Sequence, residues 1–344
     1  IKMHSVDDKV QYIRNGSTLT GIIEKVTKKQ YKIKHGKNIH YIKHENVIEN
    51  KILKYNFILG DCIDELKNME DNSVNIVITS PPYNIGIKYH KYDDKQPREQ
   101  YLEWIFDIFV ELKRILKDNG HIFLNMGYTN KDPWISMEVA LKLKDLLVLQ
   151  NNITWVKSIS ISDKSEDTFG HFKPINSDRY MNVTNENIYH FTKDDKVKID
   201  KKAIGVPYKW KCNLKNRKTG EIKEDKRCKG NTWFIPYDTI NNKKEKGYHP
   251  ATFPEGLVEH CIKLTGIKNG IVLDPFVGSG TTIRVSKKLS DSIDDYELLG
   301  IGIDIDKKYI DSKGFEINLN NISNSDLAYV MYTSGSTGNP KGVQ

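Results

Sequence analysis

Residues 270–304 constrain this chain more than any other stretch. Gly270 to Leu273 reads as an apolar strand, Asp274-Pro275-Phe276-Val277-Gly278-Ser279-Gly280-Thr281-Thr282 as a glycine-bearing turn, Thr281 to Leu289 as a helix, and Leu298 to Asp304 as a strand closing on a carboxylate. Strand, turn, helix and parallel strand form the repeating unit of a wound α/β sheet, which gathers turn and acid at one carboxyl edge. Glycines 278 and 280 let the backbone turn sharply and approach a ligand, and the helix start offers unpaired N–H groups to an anionic group. Asp304, about two dozen residues beyond the turn, is placed to accept both hydroxyls of a ribose. The spacing is G-x-G and not G-x-G-x-x-G, which disfavours a dinucleotide. No Lys-Ser/Thr pair follows Gly280, which excludes a Walker A loop.

The same rhythm runs upstream, with a strand at Phe57 to Gly60, a helix at Cys62 to Met69, a strand at Val74 to Thr79, a long amphipathic helix at Tyr101 to Leu116 and a strand at His121 to Asn125. Directly after the strand at 74–79 stands Ser80-Pro81-Pro82-Tyr83-Asn84. Two prolines fix φ and remove two donors, so the turn is stiff and rich in acceptors. Such a turn suits an exocyclic amino group on a base, a poor nucleophile because its lone pair is delocalised into the ring. The Ser80 oxygen and the Pro81 carbonyl, each accepting one amino proton, favour the pyramidal nitrogen needed for attack. Tyr83 offers a flat face for stacking, a contact of about 1–3 kcal/mol in single-strand binders; the alternative is a proline-terminated strand with Tyr83 buried.

In that order, SPPY and DPFVGSGTT resemble the β-class DNA amino-methyltransferases, whose catalytic half precedes the cofactor half. The likeness spans roughly residues 55–312. Leu59-Gly60-Asp61 resembles the strand end whose carboxylate meets the adenine of S-adenosyl-L-methionine. His249-Pro250-Ala251-Thr252-Phe253-Pro254 is similar to the segment that contacts the methionine portion, and Lys229 to Tyr237 to the approach to it. The resemblance implies a Rossmann-like S-adenosylmethionine-dependent fold. It implies catalytic residues Ser80, Pro81, Pro82 and Tyr83, and cofactor contacts from Asp61, His249, Pro250, Phe253, Asp274, Pro275, Phe276, Gly278, Ser279, Gly280, Thr281, Thr282 and Asp304. It implies direct displacement on a base swung out of double-stranded DNA. Serine before Pro-Pro-Tyr is similar to the cytosine N4 enzymes, whereas most adenine N6 enzymes carry aspartate there; cytosine N4 is the expectation and adenine N6 the alternative. Rival readings are an RNA methyltransferase, a non-catalytic DNA-binding protein and, from the tail described below, an adenylate-forming enzyme.

The charge distribution suggests contact with a polyanion, the alternative being a solvated, lysine-rich surface. Among 344 residues of formal net charge +8, residues 1–54 hold 12 Lys and Arg against 5 Asp and Glu, and residues 195–229 hold 13 against 5. Each basic side chain set on a phosphate releases a condensed counterion. Residues 1–54 read as a small β module of SH3 or Tudor type, with strands at 19–26, 31–34 and 39–42. Residues 55–156 are expected as the catalytic half, 157–248 as an inserted target-recognition region, and 249–317 as the cofactor half. A cognate restriction endonuclease is the implied partner, in a bacterial restriction-modification system. Cys62, Cys212, Cys228 and Cys261 form no C-x-x-C pair, so neither a disulfide framework nor a metal site is expected. A cytosine C5 enzyme would need a thiol in a Pro-Cys setting, which is absent. No apolar run approaches the ~20 residues of a membrane span, and no signal sequence opens the chain, so a cytoplasmic, nucleoid-associated location is expected. Residues 327–343, with Tyr332-Thr333-Ser334-Gly335-Ser336-Thr337-Gly338, resemble the phosphate loop of adenylate-forming enzymes. Without the several hundred residues such enzymes build around it, the tail at 318–344 is expected to be inactive.

Overall fold

The computed structural model describes residues 55–160, 168–169, 176–210, 214–215, 218–222, 224–236 and 253–306, and within the first 54 residues the backbone of the strands. The chain divides into two compact units, residues 1–54 and 55–344. In the first, β1 (Lys9–Arg14), β2 (Ser17–Val26), β3 (Gln30–His35), β4 (Asn38–Lys43) and β5 (Val47–Ile48) form an antiparallel sheet in the order β4-β3-β2-β1-β5. The register of β2 on β3 shifts between Ile23 and Lys25, a bulge that bends and twists a strand.

The second unit is built on eight strands. They are β6 (Tyr55–Leu59), β7 (Val74–Thr79), β8 (Leu116–Met126), β9 (Val148–Val156), β12 (Asn185–Thr192), β13 (Thr232–Phe234), β14 (Asn269–Asp274) and β15 (Glu297–Asp304), in the order β13-β9-β12-β8-β7-β14-β15-β6. A small side ladder pairs β10 (Ile159–Ser160) with β11 (Thr168–Phe169). Neighbours pair in parallel except where β12 meets β8 and β9, so β12 runs against the rest. Strand period explains the two faces. Val77, Leu273 and Ile301 enter one apolar core with helices α1 (Cys62–Lys67), α2 (Arg98–Ile115) and α3 (Ile135–Lys142). Ile76, Ile78 and Val272 enter the other with α4 (Glu255–Thr265) and α5 (Thr281–Ser292). Helix α2 buries Tyr101, Ile105, Ile108, Phe109, Leu112 and Ile115, one stripe at helical spacing.

The segment expected as an insertion, 157–248, contributes β12 and β13 to the sheet itself. Strand β12 is central and buried on both faces, and Glu186, His190 and Thr192 are among its buried residues. Polar residues at core positions erase the apolar alternation that marks a strand, which is why its sequence reads as irregular.

Candidate active site

Because β6, β15, β14, β7 and β8 are parallel, their carboxyl ends share one edge, and the reversed β12 brings its amino end there too. A cavity of about 290 Å³ opens at that edge. Its lining comes from four strand ends: Gly60 and Asp61 after β6, Ser80 and Pro82 after β7, Pro275 and Phe276 after β14, and Asp304 at the end of β15. Trp104 of α2 and Tyr92 close one wall, stacked at 5.4 Å, and Phe276 meets Trp104 edge-on at 5.6 Å.

The glycine turn is shaped from within. The Gly278 N–H donates to Asp304 Oδ2 at 2.9 Å, and the Asp306 N–H to Asp304 Oδ1 at 2.8 Å. Gly280 holds φ at +77° with Phe57 3.2 Å from where a Cβ would stand, so both conformation and space call for glycine. Thr282 Oγ1 donates to Asp274 Oδ2 at 2.7 Å and the Phe276 N–H to Oδ1 at 3.1 Å, clasping the two ends of the turn. Burial pushes the Asp274 carboxyl up to about 7 against those bonds. Burial likewise raises Asp304, opposed by its two backbone donors. Asp61 caps α1, its Oδ1 accepting the Ile63 N–H at 2.9 Å.

The proline turn carries a hydroxyl cluster. Ser80 Oγ lies 2.7 Å from Tyr83 Oη, and Tyr83 Oη donates to Glu186 Oε2 at 3.1 Å. Asn125 Nδ2 donates to both Tyr83 Oη and Glu186 Oε2 at 2.7 Å, while Lys157 Nζ donates to Glu186 Oε1 at 2.7 Å. Tyr101 Oη donates to the Pro82 carbonyl at 2.7 Å, tying the turn to α2. Beyond it Asn84 takes φ +58°. Its backbone N–H donates to Asp94 Oδ1 at 2.7 Å, and those of Ile85, Gly86 and Ile87 donate to Oδ2 at 2.8–3.2 Å. Asp94 is buried, which raises its carboxyl despite these donors.

Of the residues singled out from sequence, Asp61, Ser80, Pro82, Pro275, Phe276 and Asp304 line one cavity. Pro81, Asp274, Gly278, Ser279, Gly280, Thr281 and Thr282 are buried, and Asp274 and Thr282 bind each other. Phe253 packs on the apolar core beneath α4. The Tyr83 hydroxyl is engaged with Ser80, Asn125 and Glu186, and its ring sits against Gly127. His249, Pro250 and the tail lie outside the described residues. Sequence reasoning missed Asn125, Lys157, Glu186 and Asp94, which no local motif marks; the signal for Glu186 is a carboxylate in a strand otherwise rich in core residues. Cys62 and Cys261 are buried in helices and burial raises both thiols, as packing residues require. Among the described residues no cluster of His, Cys, Asp and Glu could hold a metal ion, and no helix is long and apolar enough to cross a membrane.

A wound α/β sheet with a proline turn and a glycine turn on one cavity defines a class of group-transfer enzyme, and residues 74–314 match the DNA methylase family of N6/N4 type. The chain belongs to that family, and its cofactor is S-adenosyl-L-methionine. It is 32% identical over 261 residues to the Type II methyltransferase M.BglII of Bacillus subtilis, covering 73% of this chain and 66% of the relative. It is 26% identical to the DNA adenine methyltransferase YhdJ of Escherichia coli, over 74% of this chain and 79% of the relative. Among solved structures, a PvuII DNA methyltransferase described as cytosine-N4-specific superposes with a TM-score of 0.54 at 19% identity, over 78% of this chain and 88% of that one, a likeness of fold.

Proposed function

We propose that this DNA methylase transfers the methyl group to the N4 amino group of a cytosine swung out of duplex DNA, as the protective member of a restriction-modification pair. The observation that carries the reading is one cavity lined by Ser80 and Pro82 on one side and Pro275, Phe276 and Asp304 on the other. The cofactor fits the residues present: the Asp304 carboxylate suits a ribose diol, and the aromatic wall of Tyr92, Trp104 and Phe276 suits a purine and a sulfonium. When bound, it supplies a methyl group activated on sulfur.

The chain's own residues do the rest. Ser80 Oγ and the Pro81 carbonyl accept the amino protons and aim the nitrogen, while Pro81 and Pro82 hold both acceptors still. Fixing two reactants in near-attack geometry is worth about 7–11 kcal/mol of entropy, the largest single contribution available to a direct displacement. Extruding the base costs a few kcal/mol. The basic stretch at 195–229 offsets that cost by phosphate contacts, and the region 157–248, apart from its sheet strands, provides readout. Two observations support this assignment: Trp210 is exposed with Lys209 Nζ 5.5 Å from its ring, and Arg179 lies 4.9 Å over Tyr180. The unit at 1–54 adds non-specific contact through its excess of lysine.

Serine at position 80 favours cytosine; similarity to an adenine methyltransferase keeps N6 as the second reading. Sequencing the modified bases of DNA from cells expressing the chain tests both. N4-methylcytosine at a fixed site is expected, and N6-methyladenine would transfer the account to the other base.

A further inference from the structure

We infer that Glu186 sets the direction of the hydroxyl chain at the proline turn and thereby keeps the Ser80 oxygen an acceptor, an inference that rests on the methyl-transfer reading above. Glu186 stands at the amino end of β12, the reversed strand that alone among the described strands of this sheet brings its beginning to the cavity edge. Its side chain is 10% exposed and that of Lys157 12%, and Lys157 Nζ lies 2.7 Å from Oε1. A buried carboxylate held by an ammonium accepts hydrogen bonds and donates none.

That fixes the order of protons down the chain. A phenol has one proton, and the charge-assisted bond to Glu186 Oε2 at 3.1 Å takes the one on Tyr83. Asn125 Nδ2, 2.7 Å from both Tyr83 Oη and Glu186 Oε2, donates to each and so agrees with that direction. With its proton committed, Tyr83 Oη faces Ser80 Oγ at 2.7 Å as an acceptor, and the serine proton is drawn into the chain. The Ser80 lone pairs then face the cavity. An exocyclic amino group presents two N–H donors, so this is the polarity it needs; the reverse order would set an O–H against an N–H. Glu186 is a positioning residue that acts through Tyr83, and Lys157 holds its other oxygen.

The test uses the full chain, duplex DNA and donor labelled on its methyl group, with wild type, Glu186→Gln, Tyr83→Phe and the double variant. A glutamine amide can present its NH2 to Tyr83 Oη and return the tyrosine proton to Ser80. For Glu186→Gln, kcat falls by about 10- to 100-fold, the loss expected for one charged hydrogen bond. KM for donor and for DNA stays within about two-fold, since the polarity matters to the reacting nitrogen. The double variant is no slower than Tyr83→Phe, because both changes act on one chain. Wild-type kcat in Glu186→Gln, additive losses in the double variant, or an effect confined to KM or Tm would overturn the inference alone. A wild type that labels no DNA would overturn the methyl-transfer reading and this inference with it.

Discussion

Ser80 and Asp304 line the same cavity, and the proposed reaction gives them opposite tasks, one toward the reacting nitrogen and one toward the cofactor. Their variants separate accordingly. Ser80→Ala removes an acceptor that matters when charge develops on nitrogen, so kcat falls by about 10²-fold, in the range for loss of one preorganised polar group. Donor affinity by titration calorimetry stays near wild type; unchanged turnover would reject the acceptor role. Asp304→Ala leaves the Gly278 N–H without its partner and removes the ribose acceptor. Donor Kd is expected to rise by about 10- to 100-fold, the equivalent of about 1–3 kcal/mol for a lost buried acceptor. A Kd unchanged in the same titration would show that Asp304 only shapes the turn.

Turns at strand ends line this cavity, and side-chain bonds brace them, Thr282 to Asp274 at the glycine turn and Asp94 to the loop after the proline turn. Thr282→Val deletes the donor to Asp274 Oδ2 and leaves a carboxyl already pushed up to about 7 with one partner fewer. A loss of about 1–3 kcal/mol in denaturant unfolding is expected, with weaker donor binding as the glycine turn loosens; a stability equal to wild type would remove the clasp from the account. The two turns are legible because proline and glycine act locally, and the amphipathic period of 98–115 and the strand at 269–274 are legible because burial there is by apolar side chains. Strand β12 is not, because Glu186 and His190 occupy core positions whose satisfaction depends on Tyr83, Lys157 and Asn151 far along the chain. Asp94 is hidden for the same reason: it closes the loop after the proline turn through four backbone N–H groups, a pattern of bonds with no sequence signature. Half of the Ser80 cluster therefore emerges only from the fold.

Across the whole second unit, the sheet is pinned through its centre by two neutral imidazoles. Asn151 Nδ2 lies 3.0 Å from His190 Nδ1, and His190 Nε2 lies 3.0 Å from His121 Nδ1. With the amide donating to His190 Nδ1, that ring carries its proton on Nε2 and donates to His121, so an added proton at either acceptor would set N–H against N–H. Burial lowers His121 to about 4 and His190 to about 3, with the His121 charge adding to the latter. Folded values below the ordinary 6.5 mean that the unfolded chain takes up protons first. The stabilising contribution is thus full above about pH 6.5 and is lost as pH falls toward 4 and 3. Relative to His190→Gln, wild type should lose about 1.4 kcal/mol per pH unit through that window, read as the difference between two unfolding series so that other titrating groups cancel; a flat difference would mean that His190 titrates normally. Strands β7 and β14 are hydrogen-bonded neighbours in the same sheet, which sets their carboxyl ends side by side. The most direct test incubates the protein with duplex DNA and methyl-labelled S-adenosyl-L-methionine, digests the DNA to nucleosides and identifies the labelled one. N4-methyl-2′-deoxycytidine is expected; N6-methyl-2′-deoxyadenosine would move the reaction to the other amino base, and label on cytosine C5, or none in DNA, would overturn amino-group transfer.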